Sequence, residues 1–149
     1  METYRRAPFV IRQTARHPIV GPKRGKPSTS AIRFGTVRSG QRVRLGYVVG
    51  LLNSRLIRFL YTTSVRESAQ ASFPQVKVGS LRDLPIIWPD LDDSGQRAAY
   101  RSIVEDVARL LELRGSGPTV ETLESRIDEC VMSIYGLNGS ARDDVFACT

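Results

Sequence analysis

The chain has 149 residues, 41% of them hydrophobic, which suits one globular domain with a real core and room for a small helical appendage, and excludes two full-sized domains. No apolar run is long enough to cross a bilayer, and the opening METYRRAPFVIRQTARHP lacks the uninterrupted apolar stretch of a leader, so a soluble, cytoplasmic chain with no membrane partner is expected. The net charge of +7 divides unevenly: Met1 to Arg82 carries sixteen Lys or Arg against two acids, a net +14, and Asp83 to Thr149 carries six Arg against thirteen acids, a net −7.

So basic a stretch repels itself unless a polyanion neutralises it, and nucleic-acid phosphate is the usual one. Basic residues that merely keep the surface soluble are the competing explanation. The two cysteines, Cys130 and Cys148, have neither metal-ligand spacing nor a disulfide-framework count, and Cys130 falls on the apolar side of a helix as core filler.

Pro8 to Gln13 alternates apolar and polar side chains and predicts a strand with one buried face. A turn through Ala15 to Pro18 leads to a short apolar piece, Ile19 and Val20; His17 in that turn has no acid or cysteine near it in sequence and is expected to be a turn residue. Gly21 to Ser30, rich in Gly, Pro and Ser, predicts an exposed loop made cationic by Lys23, Arg24 and Lys26. Ala31 to Val37 reads as a second strand, and Arg38 to Leu45 as a turn into an extended piece with Arg42 and Arg44 on one face.

Leu45 to Leu60 predicts one amphipathic helix with Leu45, Val48, Val49, Leu52, Leu56, Phe59 and Leu60 on its core-facing stripe. Arg55 and Arg58 sit on an outer flank, with Asn53 and Ser54 also facing out, so both guanidinium groups can reach a common anionic surface. Two solvated arginines on a core helix fit the same pattern. Tyr61 to Ser72 is a polar loop with Arg66 and Gln70, side chains that hold phosphates and reach base edges. Gln75 to Val78 predicts a short strand presenting Gln75 and Lys77, Gly79 and Ser80 a turn, Leu81 to Leu84 one helical turn, and Pro85 to Pro89 a proline-bounded edge segment.

Beyond Pro89, Asp92, Asp93 and Ser94 can cap a helix whose stripe is Tyr100, Ile103, Val104, Val107, Leu110 and Leu111. Thr119 can cap the next, with Val120, Leu123, Ile127, Cys130, Val131 and Ile134 on its stripe and Gly136 as its stop. The Gly-Pro turn between them predicts an antiparallel helical hairpin. Ser140 with Asp143 is a capping pair for a last short helix. There is no glycine-rich phosphate loop followed by a lysine, no G-x-S-x-G, no H-E-x-x-H and no paired CxxC, so a recognition surface is expected in preference to catalysis.

IRQTARHPIV, GYVVGLLNSRLIRFLY, FPQVKVGSLRDLPI and ETLESRIDECVMSIYGLN, in that order, resemble the C-terminal target-recognition domain of N6-adenine DNA methyltransferases and type II restriction-modification enzymes of the TaqI-like and Eco57I-like group. Leu51-Leu52-Asn53-Ser54, Phe73 to Lys77 and Leu81 to Ile86 are the most specific elements. Leu84 to Leu111 also looks like the part of type I specificity subunits where a proline-rich strand leads into a long helix. The resemblance implies a bacterial or archaeal specificity module, excised or truncated, that grips double-stranded DNA. S-adenosylmethionine and an Asn-Pro-Pro-aromatic motif would belong to an associated methyltransferase catalytic domain.

The resulting expectation is an α+β (mixed α/β) fold. Residues 1–89 would form a basic DNA target-recognition domain, a small twisted sheet with a central amphipathic helix; residues 90–149 would add the C-terminal helical hairpin, in the same compact unit or as a docking appendage. DNA would meet Lys23, Arg24, Lys26, Arg42, Arg44, Arg55, Arg58, Arg66, Gln70 and Lys77. The alternative is an assembly module, such as a type I-like specificity-subunit fragment, that pairs with a partner or itself through the hairpin stripes.

Overall fold

A computed structural model describes residues 9–12, 15, 18–22, 32–35, 45–64, 76–113 and 116–147. Among them are three strands, β1 (Phe9–Arg12), β2 (Val20–Pro22) and β3 (Ile32–Gly35), and six helices, α1 (Leu45–Asn53), α2 (Arg55–Ser64), α3 (Val78–Arg82), α4 (Ser94–Leu113), α5 (Pro118–Ile134) and α6 (Gly139–Ala147). The fold is mostly helical with a small antiparallel sheet, an α+β arrangement. β1 lies between β2 and β3, with Ile11 opposite Val20 and Val10 opposite Phe34. The apolar pieces around Ile11, Val20 and Ile32 are thus strands, as their β-branched content predicts.

Asn53 fastens the sheet to the helices. Its Nδ2 donates to the Val20 carbonyl at 2.8 Å and to the Val49 carbonyl at 2.7 Å, while its Oδ1 accepts the Val20 N–H at 2.9 Å. The amide thereby pairs with the Val20 peptide group as a neighbouring strand would, and satisfies edge groups of β2.

The single helix expected over Leu45 to Leu60 is two helices broken at Ser54. Ser54 Oγ donates back to the Leu51 carbonyl at 2.7 Å and accepts the Ile57 N–H at 3.4 Å, so the side chain ends α1 and caps α2. This break resets the helical phase. The buried residues are Tyr47, Val49, Gly50 and Leu51 in α1, then Leu56, Ile57 and Tyr61 in α2. Of the expected stripe only Val49 and Leu56 are fully buried; Leu45, Val48, Leu52, Phe59 and Leu60 pack at the margin of the core.

α4 and α5 share the most extensive helix–helix interface, and α1 lies against α4. At Gly50 an added Cβ would come within 2.6 Å of Ile103 Cγ2 and 3.0 Å of Val107 Cγ2, so the close approach of α1 to α4 requires glycine. Tyr100, Ile103 and Val107 of α4 and Ile127, Val131 and Ile134 of α5 meet in one buried cluster with Ile11, Val20 and the buried faces of α1 and α2. Cys130 is half-buried and packs against that cluster.

Asp93 Oδ1 accepts the Gln96 N–H at 2.7 Å and begins α4 as its acidic cluster predicts. The expected Thr119 cap is displaced: Gly117, at φ 141°, holds the cap position of α5 and Pro118 starts the helix. At the other end Gly136 takes φ 66°, and the Leu137 N–H reaches the Met132 carbonyl at 3.0 Å, the expected stop. Ser140 and Asp143 fall inside α6, which begins at Gly139 and is anchored by buried Val145.

The strand expected at Gln75 to Val78 is not observed at Val76 and Lys77, and Gln75 lies outside the described residues. Lys77 O accepts the Leu81 N–H at 3.2 Å and opens α3, so Gly79 and Ser80 are helical and do not form a turn. The Pro85 to Pro89 segment is irregular and fixed by two tyrosines. Tyr47 Oη donates to the Ile87 carbonyl at 2.8 Å, Tyr135 Oη donates to the Pro85 carbonyl at 2.7 Å, and the Ile87 N–H reaches Tyr135 Oη at 3.2 Å. Burial pushes both phenols above their usual range. Tyr47 also touches the rings of Trp88 and Tyr100, at 6.3 and 5.5 Å between centroids.

Candidate nucleic-acid interface

Arg55, Arg58 and Lys77 fall within the described residues; Lys23, Arg24, Lys26, Arg42, Arg44, Arg66 and Gln70 lie outside them. All three belong to α2 or to the chain that returns beside it. α2 is amphipathic because Leu56, Ile57 and Tyr61 bury one side, which leaves Arg55 and Arg58 on the other.

Arg55 does not project freely from that flank. Its Nε stands 3.2 Å from Asp128 Oδ2, and its backbone N–H donates to Asp128 Oδ1 at 2.8 Å. Its guanidinium also lies 5.3 Å from the centre of the Phe146 ring on α6. The side chain is nevertheless 42% exposed, so its outer edge still faces solvent. Arg58 and Arg55 line the same cleft of about 680 Å³, whose walls come from β2, the α1–α2 joint and the hairpin. Arg58 Nε is buried without a hydrogen bond.

Asp128 is 4% exposed. Burial raises its pKa above the usual carboxylate range; the Arg55 N–H and the Arg55 and Arg58 guanidiniums pull against that rise, and Glu124 adds to it. The hairpin holds a second buried acid, Asp106, at 3.3 Å from Arg126 Nε, with no hydrogen-bond geometry to either carboxylate oxygen.

Lys77 is exposed, and its backbone N–H donates to Tyr61 Oη at 3.1 Å. The chain leaves α2 at Ser64 and returns at Val76, which is buried, beside the equally buried Tyr61. Both feet of the 65–75 segment are thus tied to α2. Thr62 and Thr63 were expected in the polar loop. They belong to the last turn of α2, where their hydroxyls donate to the Arg58, Phe59 and Leu60 carbonyls.

The family model for the TaqI-like C-terminal specificity domain matches residues 1–86. The chain belongs to that family. No curated protein and no solved structure matches it. Membership makes the chain a DNA-binding, target-recognition module of a methyltransferase-related, restriction-modification protein. The matched stretch contains the sheet, α1, α2 and α3 and ends in the tyrosine-held segment; α4 to α6 lie beyond it. Within it, Leu51-Leu52-Asn53-Ser54 is the joint between sheet, α1 and α2.

Asn53, Ser54, Tyr61 and Asp128 are structural supports of α2 and its surroundings that periodicity did not single out. For Asp128 a signal existed: it directly follows Ile127 and stands three residues before Val131, so it borders the apolar stripe. Asp106 gives the same signal, three after Ile103 and four before Leu110. An acid at such a position needs a partner on the facing element.

Proposed function

We propose that this chain is the sequence-reading module of an N6-adenine DNA methyltransferase of the type II restriction-modification kind, with S-adenosylmethionine and catalysis on a separate or upstream methyltransferase domain. The single observation that carries this reading is the family match over the stretch that holds the basic excess, a net +14 through Arg82. Arg58, Lys77 and the outer edge of Arg55 contact duplex phosphates together with Lys23, Arg24, Lys26, Arg42, Arg44 and Arg66. The 65–75 segment, with Gln70, makes the choice of sequence. Phosphate contacts set orientation, and base-edge contacts from the segment set specificity.

Duplex binding across a salt series tests this. Each phosphate neutralised contributes a slope of about −0.9 in log K against log salt, so six or more contacts lower affinity by about a thousandfold between 50 and 200 mM. Affinity insensitive to salt would contradict the assignment. The hairpin-assembly alternative keeps part of its motive: Tyr100, Ile103, Val107, Ile127, Val131 and Ile134 are buried in the chain's own core, while Val120 and Leu123 at the start of α5 are not part of that cluster. The two-part division at residue 89 is proposed as a division of charge and role, with the hairpin supporting the DNA-facing part.

A further inference from the structure

We infer that Arg142, on α6, is a further DNA-phosphate contact that works beside Arg55, so that the duplex-binding surface extends past the family-matched residues 1–86 into the acidic half of the chain. This rests on the reading of Arg55 as a phosphate contact. α6 packs against α2. The ring of Phe146 on α6 brings the two arginines together: Arg55 Cζ stands 5.3 Å from its centre and Arg142 Cζ 5.7 Å. A guanidinium is drawn to an aromatic ring by the ring's electron-rich face, and here one ring gathers two of them from opposite halves of the chain. The two guanidinium carbons are therefore no more than about 11 Å apart, a span that covers two or three successive phosphates of one strand, whose charges follow at about 3.4 Å along the axis.

Two cations so close repel each other unless anions sit beside them. Each has one acid partner, and the partners differ in kind. Asp128 is buried and holds Arg55 by Nε, which leaves the outer edge of that guanidinium to solvent. Glu129 takes Arg142 Nη2 at the surface, where the Arg142 side chain is 38% exposed and that of Glu129 46%. An exposed pair of this sort contributes little to stability. A phosphate oxygen can therefore replace the Glu129 carboxylate at small cost, and the charge-assisted bonds that a guanidinium makes to phosphate compensate for it. Asp143 and Asp144 follow Arg142 on α6, but about 100° and 200° round the helix, so neither shares its face.

The full chain is titrated with a mixed-sequence duplex of about thirty base pairs at salt concentrations from about 50 to about 200 mM. Loss of one phosphate contact removes about 0.9 from the steepness of log K against log salt. Arg142→Ala should therefore bind more weakly than the parent, with a deficit about threefold larger at 50 than at 200 mM. Circular dichroism checks that its helices are intact, and should Arg142→Ala not fold, Arg142→Gln, which keeps most of the side chain's length, takes its place. Arg142→Lys keeps the charge and should keep the parent's salt dependence. Glu129→Gln separates contact from support, because it removes the same ion pair but leaves the cation. It should bind as tightly as the parent or up to about threefold tighter at 50 mM. A deficit in Glu129→Gln equal to that in Arg142→Ala overturns the inference, since the pair would then act only through the fold of α6. If the parent chain binds no duplex, or binds it without salt dependence, the proposed function fails; if the parent shows the steep dependence and Arg142→Ala shares it in full, this inference alone fails.

Discussion

Replacing Gly50 with alanine sets two effects of opposite sign against each other. Helix propensity alone favours alanine over glycine in a helix interior by about 1 kcal/mol. The new Cβ, however, would stand 2.6 Å from Ile103 Cγ2 and 3.0 Å from Val107 Cγ2. Both neighbours are buried, at 0% and 4% exposure, and both are β-branched and stiff at χ1, so neither can swing aside cheaply. Relief requires α1 and α4 to separate, and overpacking of this kind typically costs about 1–3 kcal/mol. The clash at 2.6 Å places Gly50→Ala at the upper end of that range, for a net loss of about 1–2 kcal/mol and a fall in Tm of roughly 2–8 °C. Gly46→Ala in the same helix is the control. Its Cβ meets Val104 only at 3.5 Å, ordinary van der Waals contact, so it should be neutral or stabilising by up to about 1 kcal/mol. Urea unfolding with a shared m value compares the two. If Gly50→Ala proves as stable as Gly46→Ala, the tight α1–α4 contact is refuted.

At Asn53, alanine should lower stability by about 1–3 kcal/mol through the unpaired Val20 peptide groups. Aspartate should cost more than alanine, because it sets a carboxylate oxygen against the Val20 and Val49 carbonyls; thermal melts rank the three. Tyr47→Phe leaves the Ile87 carbonyl without its 2.8 Å donor and should cost about 1 kcal/mol. The emission of Trp88, the chain's one tryptophan, should report the loosened segment, and an unchanged spectrum with unchanged Tm would contradict its anchoring role. Asp128 has a folded pKa raised above its unfolded value by burial. Its contribution is therefore fully present below the usual carboxylate pKa and is lost as pH rises through the folded value. Melts from about pH 3 to 7 should show the parent chain losing ground to Asp128→Asn as pH rises; the opposite trend would mean that the arginines outweigh burial.

What the sequence made legible was whatever a short local pattern decides. The β-branched pieces around Ile11, Val20 and Ile32 are strands, Asp93 starts α4, and Gly136 stops α5. Periodicity failed where a residue's partner is remote in sequence. Ser54 breaks the long amphipathic run because its hydroxyl competes for backbone groups three residues away on either side, and every stripe position beyond it shifts phase. Val76 and Lys77 alternate like a strand, yet the Lys77 N–H finds Tyr61 Oη and its carbonyl closes a helical turn. Arg55 looked free because its partner is Asp128, 73 residues away. Of the proposed interface, the charge split and the family likeness direct attention to residues 1–86, but they do not show that Arg55 is already engaged within the fold.

The engagement of Arg55 changes what the acidic half of the chain can be for. A net −7 over the C-terminal residues would oppose DNA if it faced the duplex, and long-range repulsion between like charges falls off only over about 10 Å at 0.1 M salt. α5 directs Asp128 inward instead, onto the backbone and side chain of the first residue of α2. There its two oxygens take the Arg55 N–H and pair with the Arg55 guanidinium, contacts that offset only part of the cost of burying the carboxylate. At the same joint Asn53 holds β2 and Ser54 caps α2. Sheet, α1, α2 and α5 therefore share one fastening point across three consecutive positions, Asn53 to Arg55. Leu51-Leu52-Asn53-Ser54, among the most specific elements of the family likeness, thus serves as a structural joint: Asn53 and Ser54 spend their side chains on β2, α1 and α2.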